Sequence, residues 1–186
     1  MQHHENHDRF AAVFPVALII SAVFVALGLL LEGPLTALHG LKDIVTRPDL
    51  LITDYVQTSG LGATLLNAGL VTAVAATVLK LSRDPFNGYS VVTIGMMTGF
   101  SFFGKNILTI WPFIAGGWLY AKVTRRSFSD YATVSLMSAS LAPLVSYLAM
   151  GNGSHNLLLG LAVGLLIGFV MPAICPYTYR IQNGMN

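Results

Sequence analysis

The chain has 186 residues, of which 54% are hydrophobic and 10% are charged, and its formal net charge is +2 at pH 7. A soluble domain carries about 25% charged residues, so this composition excludes an ordinary soluble fold. The apolar residues also form long continuous blocks and do not follow a helix or strand period. We therefore expect an all-α integral membrane protein that forms one domain over residues 1–186.

The charge balance and the single cysteine narrow the class further. A net charge of +2 gives no indication of a nucleic acid partner, because basic loops on one side of a lipid bilayer produce the same balance. Cys175 is the only cysteine, so the chain can form neither an intrachain disulfide nor a cysteine-based metal site. We expect no metal ion and no cofactor.

The hydrophobic blocks predict a polytopic helical domain, because a membrane-spanning helix needs about 20 apolar residues. The middle segments are shorter than this and are bounded by glycine, asparagine, proline or a charge, which is typical of broken or re-entrant helices. Residues 50–66 are an alternative re-entrant segment. The six predicted segments are approximately 10–31, 59–80, 88–103, 107–121, 131–150 and 156–174.

The first predicted loop, residues 32–58, is the longest connection in the chain. It contains acidic and basic residues among apolar ones, a mixture that is typical of a surface helix. We predict that it forms an external lid or a short amphipathic helix.

The basic residues predict the orientation, because lysine and arginine favour the cytoplasmic side of a membrane near helix ends. With the N-terminus inside, only Lys42, Arg47 and Lys105 fall outside. The other basic residues fall inside, namely Arg9, Lys80, Arg83, Lys122, Arg125, Arg126 and Arg180. We therefore predict a bacterial cytoplasmic membrane protein with both termini in the cytoplasm.

A regular glycine spacing stands out in the last segment, where Gly160, Gly164 and Gly168 lie four residues apart. This spacing places all three on one face of a helix, and such small-residue stripes allow helix backbones to approach closely in lipid. We interpret the stripe as helix packing within the chain, and a seam between two copies is the alternative.

Three polar residues interrupt the central apolar segments: Asn67, Lys105 and Asn106. All eight acidic residues fall in predicted loops or tails, which argues against an ion pump. An amide side chain offers both a donor and an acceptor, and a helix N-terminus attracts anions or carbonyl groups. We predict that the three residues bind a small polar solute between broken helices. The predicted helix breaks are at Gly60, Gly62, Gly99 and Gly104.

Two other interpretations of these polar residues stay open. The Gly104–Lys105–Asn106 step fits a tight extracellular turn whose lysine extends to the headgroups. Asn67 fits a residue that only bonds neighbouring helices.

No pattern in the chain supports an enzyme. The stretch GFSFFG lacks the Gly-x-Ser-x-Gly spacing of a nucleophile elbow. Ser154 and His155 are adjacent in a polar turn, and no partner for a catalytic triad is evident. We predict no catalytic residue.

The chain resembles a bacterial family of multipass membrane proteins that is catalogued as a domain of unknown function. The residues that carry the resemblance are the Asn67-Ala68-Gly69 step, the 99–106 segment and the closing YRIQNGMN. The resemblance covers the chain from about Phe10 to the end and implies a second hydrophobic half after such an ending. The chain would then be one half of an inverted-repeat architecture, or a shortened member that pairs with itself.

A fainter similarity is to one half of the urea transporters. Gly60, Gly62 and Asn67 follow the order of glycines and a polar step in their pore helix. Leu65, Leu66 and Ala68 replace the remaining polar residues and the proline, so urea itself is in doubt.

These patterns predict a channel or transporter for a small polar solute that is neutral or anionic. It would be complete only with a second copy of the chain or a homologous second half. The alternative is a membrane scaffold that transports nothing, whose polar residues only join helices. A water-filled cavity reaching Asn67 or Asn106 would favour transport, and a closed polar interior would favour the scaffold.

Overall fold

The computed structural model describes residues 12–47, 53–150 and 156–184. Within these ranges the secondary structure is helical, with one isolated bridge between Asp54 and Phe103. The helices are α1 Val13–Glu32, α2 Pro34–Thr46, α3 Tyr55–Ser59, α4 Leu61–Leu81, α5 Gly88–Phe100, α6 Trp111–Val123, α7 Ala132–Ser138, α8 Ala142–Met150 and α9 Leu157–Gly184. Short 3-10 turns occupy Phe128–Asp130 and Ala139–Leu141.

Within the described ranges, four stretches are long and apolar enough to cross a membrane. They are α1, α4, the combined span Ala132–Ala149 and the stretch Leu157–Cys175 of α9. A helix of 20 residues is about 30 Å long, which matches the hydrocarbon core of a bilayer. The prediction of a membrane-embedded all-α protein with several spans is confirmed.

Six full spans are not found, because the two middle segments are interrupted. Helices α5 and α6 have 13 residues each, so each is about 20 Å long and too short to cross alone. The expected helices over 88–103 and 107–121 are therefore shorter than predicted. The non-helical residues 101–110, which we call the bend, lie between them.

The predicted re-entrant segment 50–66 also differs from the structure, although residues 50–52 lie outside the described ranges. The chain forms the short helix α3, turns at Gly60 and then begins α4 at Leu61. The predicted segment 131–150 is interrupted as well, because a 3-10 turn separates α7 from α8. Pro143 accounts for it, since proline has no N–H to bond the carbonyl four residues earlier.

Helix α4 is the centre of the bundle. In the apolar stretch of α4, 61% of the residues are buried, against 17% in α1 and 22% in α9. Helices α1 and α9 therefore present most of their surface to lipid. Small residues allow α1 to approach α4 closely: a Cβ on Gly28 would lie 2.5 Å from the carbonyl oxygen of Gly62. The Ser21 hydroxyl donates to the carbonyl oxygen of Gly69 at 2.7 Å in the same interface.

Helix α9 packs against α6 and α8 through the glycine stripe. Gly160 faces Ala149, Gly164 faces Pro112, and Gly168 faces the backbone of Phe113. The structure therefore places all three stripe glycines against helices of the same chain.

The two ends of the bundle have different characters. One end, which we call the basic end, holds the C-termini of α4 and α6 and five basic residues: Lys80, Arg83, Lys122, Arg125 and Arg126. The first turn of α1 lies at this end as well, because the Phe14 ring contacts Lys80 and Phe86. At the other end α2 and α3 cover the N-terminus of α4, with Gly40 of α2 against Ser59. The expected short helix in the first loop is α2, whose buried face is Ala37, Gly40 and Ile44.

Candidate functional site in the bend between α5 and α6

The bend lies inside the bundle, covered by α2 and α3 at the end opposite the basic end. Its backbone faces Asn67, which is six residues into α4 and so about 9 Å along the helix from Leu61. The chain reverses at Gly104, where φ is +81° and a glycine is favoured. Phe103 pairs with Asp54 beside α3. Non-helical backbone inside a membrane has to be bonded within the protein or line water, and the bend is bonded within the protein.

Asn67 supplies the hydrogen bonds that the bend lacks. Its side chain is fully buried, at 0% exposed. The amide nitrogen donates to the carbonyl oxygens of Ser101 at 2.8 Å and Lys105 at 2.9 Å. Its oxygen accepts from the backbone N–H of Ile107 at 3.1 Å. Both donor hydrogens therefore go to backbone, and Asn67 holds the two sides of the bend to α4.

Asn106 has a similar local role. Its side-chain oxygen accepts from the N–H groups of Leu108 and Thr109, both at 3.0 Å, and caps the turn that leads into α6. Its amide nitrogen donates to the carbonyl oxygen of Ile44 at 3.4 Å, which ties the bend to α2. At 1% exposed, this side chain is as closed to solvent as Asn67.

Lys105 differs from both asparagines because its ammonium has only weak partners. The residue is 1% exposed. Its Nζ lies 3.1 Å from the Met97 sulfur and 5.2 Å from the centre of the Phe100 ring. A thioether is a weak acceptor and an aromatic face is a modest one. In the part of the chain that the structure describes, no carboxylate forms an ion pair with Lys105.

The model of the family described as "Protein of unknown function (DUF1576)" matches residues 34–186, a range that includes α4 and the bend. The chain belongs to the DUF1576 family. No curated protein and no solved structure matches it. The bacterial origin and the similarity to the urea transporters stay predictions.

The predicted helix breaks of this DUF1576 protein divide into two pairs. Gly60, with φ +94°, separates α3 from α4, and Gly104 lies at the reversal of the bend. Gly62 and Gly99 are inside α4 and α5, so breaks at these two positions were wrong. A Cβ on Gly62 would lie 2.6 Å from the carbonyl oxygen of Gly28, so its small size serves helix packing.

One alternative for Lys105 differs from the structure of the DUF1576 protein. Its side chain does not extend outward to the headgroups, because it is 1% exposed and the bend is covered by α2 and α3. The ammonium points to Met97 on α5, eight residues earlier in the chain. Nothing in the sequence marked Met97 or Ile44 as neighbours of the polar residues.

The acidic, cysteine and histidine residues give no metal centre in the described ranges. Within them, no group of three or more such side chains lies close enough to hold a metal ion.

Proposed function

We propose that this DUF1576 protein carries a small anionic solute across the membrane and that Lys105 receives its charge. The observation that carries the proposal is the ammonium of Lys105, which is 1% exposed and, in the described part of the chain, contacts a thioether and an aromatic ring without an ion-pair partner. Ionisable groups inside membranes are costly and mark solute pathways more often than packing sites. The two asparagines then hold the bend, and they do not bind the solute.

The chemistry of the bend favours an anion over a neutral solute. A small anion beside the ammonium would replace the weak sulfur contact with an ion pair, which is strong in a low-dielectric interior. Neither amide has a free donor hydrogen pointing to a neutral solute: Asn67 uses both, and Asn106 caps a turn and bonds α2. The selectivity therefore lies in one positive charge.

Access to Lys105 requires movement of α2 in this proposal. Helix α2 meets the bend through the 3.4 Å bond between Asn106 and Ile44, which is longer than a typical N–H···O bond. The buried face of α2 is small, with Ala37, Gly40 and Ile44. We propose that α2 opens the site, and that a second copy or a homologous second half completes the pathway.

Lys105→Met is expected to reduce anion flux at least about tenfold. This corresponds to a loss of about 1.4 kcal/mol in the stabilisation of the anion during transport. The measurement is uptake of chloride, nitrate and acetate into proteoliposomes, with urea as a neutral probe. The variant is expected to melt at the same temperature or higher, because it removes a buried charge and adds an apolar side chain of similar length.

The matched control is Lys42→Met on α2, which removes an exposed lysine. It is expected to transport at the wild-type rate. Equal anion flux in the wild type and Lys105→Met would contradict the carrier proposal.

A membrane scaffold is the second candidate, and one specific surface favours it. Between α1 and α5 is an apolar groove of about 400 Å³, lined in part by Gly95 and Gly99. A Cβ on either glycine would have no neighbour within 4 Å, so a partner helix could approach α5 closely there. This candidate predicts no flux of any probe by the wild-type protein, and co-purification of a membrane partner that Gly95→Leu releases.

We also propose that the basic end faces the cytoplasm, by the preference of lysine and arginine for that side. In a Cys175→Ser background, a cysteine at Ser127 is expected to resist an impermeant thiol reagent in intact cells and to react after permeabilisation. The matched control, Lys42→Cys at the other end, is expected to react in intact cells. Both positions are exposed on the protein surface. The reverse labelling pattern would invert the proposed orientation.

A further inference from the structure

Helices α4 and α6 end in the same unusual way. The N–H of Asp84 bonds the carbonyl of Leu79, and the N–H of Arg83 bonds that of Lys80. In α6 the equivalent bonds run from Arg126 to Ala121 and from Arg125 to Lys122. Both are Schellman motifs, in which the residue just past the helix is left-handed and is usually glycine.

In this protein both left-handed positions hold arginine. The φ angle is +61° at Arg83 and +54° at Arg125. A residue with a Cβ is disfavoured in this conformation, and glycine is tolerated without strain. The attraction of a cation to the negative end of a helix explains basic residues near both C-termini. This attraction does not explain an arginine at the one position where glycine is more stable. A strained backbone that persists in this way indicates that the side chain has a use.

The cations at this end have no ion-pair partner within the described ranges. Among the described residues, none of the five basic side chains of the basic end forms an ion pair. The nearby carboxylate of Asp84 accepts hydrogen bonds from the N–H of Phe86, the Ser90 hydroxyl and the Thr133 hydroxyl. It is therefore occupied in fixing the loop between α4 and α5.

A cavity of about 500 Å³ lies between the ends of α4 and α6. Its lining is polar at Ser82, Arg83 and Ser127, which lie beyond the helix ends, and apolar at Val78, Leu81, Ile114, Trp118 and Phe128. Trp118 is 50% exposed, and the Lys122 ammonium lies 5.4 Å from the centre of its ring. Tryptophan and snorkelling lysine together are typical of the membrane–water interface.

We propose that this cavity binds an anionic phospholipid. Its phosphate would lie beside Arg83 and the Ser127 hydroxyl, on the side of the cavity where Arg125 ends α6, and an acyl chain would follow the apolar wall beside Trp118. The helix C-termini alone would repel a phosphate, so the uncompensated cations supply the attraction. A lipid fits better than a soluble phosphate, because five of the eight lining residues are apolar.

Trp118 reports on the site directly. The chain has two tryptophans, so Trp111→Phe leaves Trp118 as the single fluorophore. In neutral detergent, brominated phosphatidylglycerol is expected to quench Trp118 at a concentration at least about tenfold below that of brominated phosphatidylcholine. Each cation near an anionic headgroup contributes about fivefold to binding. Arg83 lines the cavity, and Arg125 follows the end of the neighbouring helix α6.

The decisive variant combines Arg83→Gly and Arg125→Gly in the Trp111→Phe background. Glycine relieves the backbone at both positions, so the fold is expected to melt no lower than its parent. The difference between the two lipids is expected to fall to about twofold or less. The matched control removes the same charge at the other end with Lys42→Gln and Arg47→Gln, and it is expected to keep the tenfold difference.

Three results would overturn the proposal. They are equal quenching by both lipids in the parent, an undiminished preference in the double glycine variant, or an equal loss in the control. The first would leave the arginines as topology signals alone, and the last would reduce the effect to net charge. None of these results depends on whether the protein transports a solute.

Discussion

Asn67→Leu is expected to lower the free energy of unfolding by at least about 3 kcal/mol, because three buried backbone groups lose their partner and each costs about 1–3 kcal/mol. These groups are the carbonyls of Ser101 and Lys105 and the N–H of Ile107. No water replaces the amide in a site that is closed to solvent. The measurement is thermal unfolding in detergent, and its readout is the fraction of protein that stays monodisperse at each temperature.

The matched control for this variant is Thr72→Val on the same helix. Thr72 is 1% exposed, and its hydroxyl bonds the carbonyl of Ala68 and the Thr98 hydroxyl. Thr98 keeps its bond to the carbonyl of Ile94, so this change is expected to cost about 1 kcal/mol. If Asn67→Leu melts like the wild type and loses only solute flux, Asn67 contacts the solute and its structural role here is wrong.

Gly168→Ala is expected to destabilise the protein by about 3 kcal/mol, at the upper end of the usual cost of overpacking. The added Cβ would lie 2.3 Å from the carbonyl oxygen of Phe113 and 2.7 Å from its Cα. These atoms belong to the backbone of α6 and cannot rotate away. The two helices have to separate, and an apparent melting temperature about 10 °C lower is expected.

Gly95→Ala is the matched control, because it makes the same change in the interior of a helix. No heavy atom lies within 4 Å of the Cβ position. Alanine is favoured over glycine in a helix by up to about 1 kcal/mol, so this variant is expected to melt at the wild-type temperature or slightly higher. If the two alanine variants melt alike, the close contact between α6 and α9 does not hold the bundle together.

The bend shows why polar residues in a membrane sequence have two competing meanings. Asn67 and Lys105 both interrupt apolar segments, and both were predicted to contact a solute. The structure separates them by their partners: the amide of Asn67 bonds three backbone groups, and the ammonium of Lys105 meets a thioether. A side chain whose hydrogen bonds are already made in the resting protein has little to offer a ligand. The proposed carrier role therefore rests on Lys105 alone.

Several features of the fold could be predicted because they depend on composition over long windows. Helices α1 and α4 agree with the predicted segments to within about three residues wherever the prediction falls on described residues, since a continuous apolar run in lipid has to be helical. Helix α9 begins one residue from its predicted start, but it continues to Gly184, past the predicted end at residue 174. The breaks at Gly60 and Gly104 have a local cause, which is a left-handed backbone that favours glycine. Gly62 and Gly99 look similar in the sequence, but both lie inside helices. Gly62 packs against Gly28 of α1, and Gly99 has no such neighbour.

By itself, the sequence determined that this protein is helical, that it lies in a membrane, and that its basic residues gather at one end. These properties follow from hydrophobicity and charge summed along the chain, and they need no knowledge of contacts. Only the tertiary structure decided that Asn67 holds the bend, that Gly116 and Gly168 bring α6 against α9, and that Lys105 is left without a strong partner. A hydrogen bond or a backbone contact depends on a separation of a few tenths of an ångström between residues that lie far apart in the chain. Such distances exist only after the helices have packed.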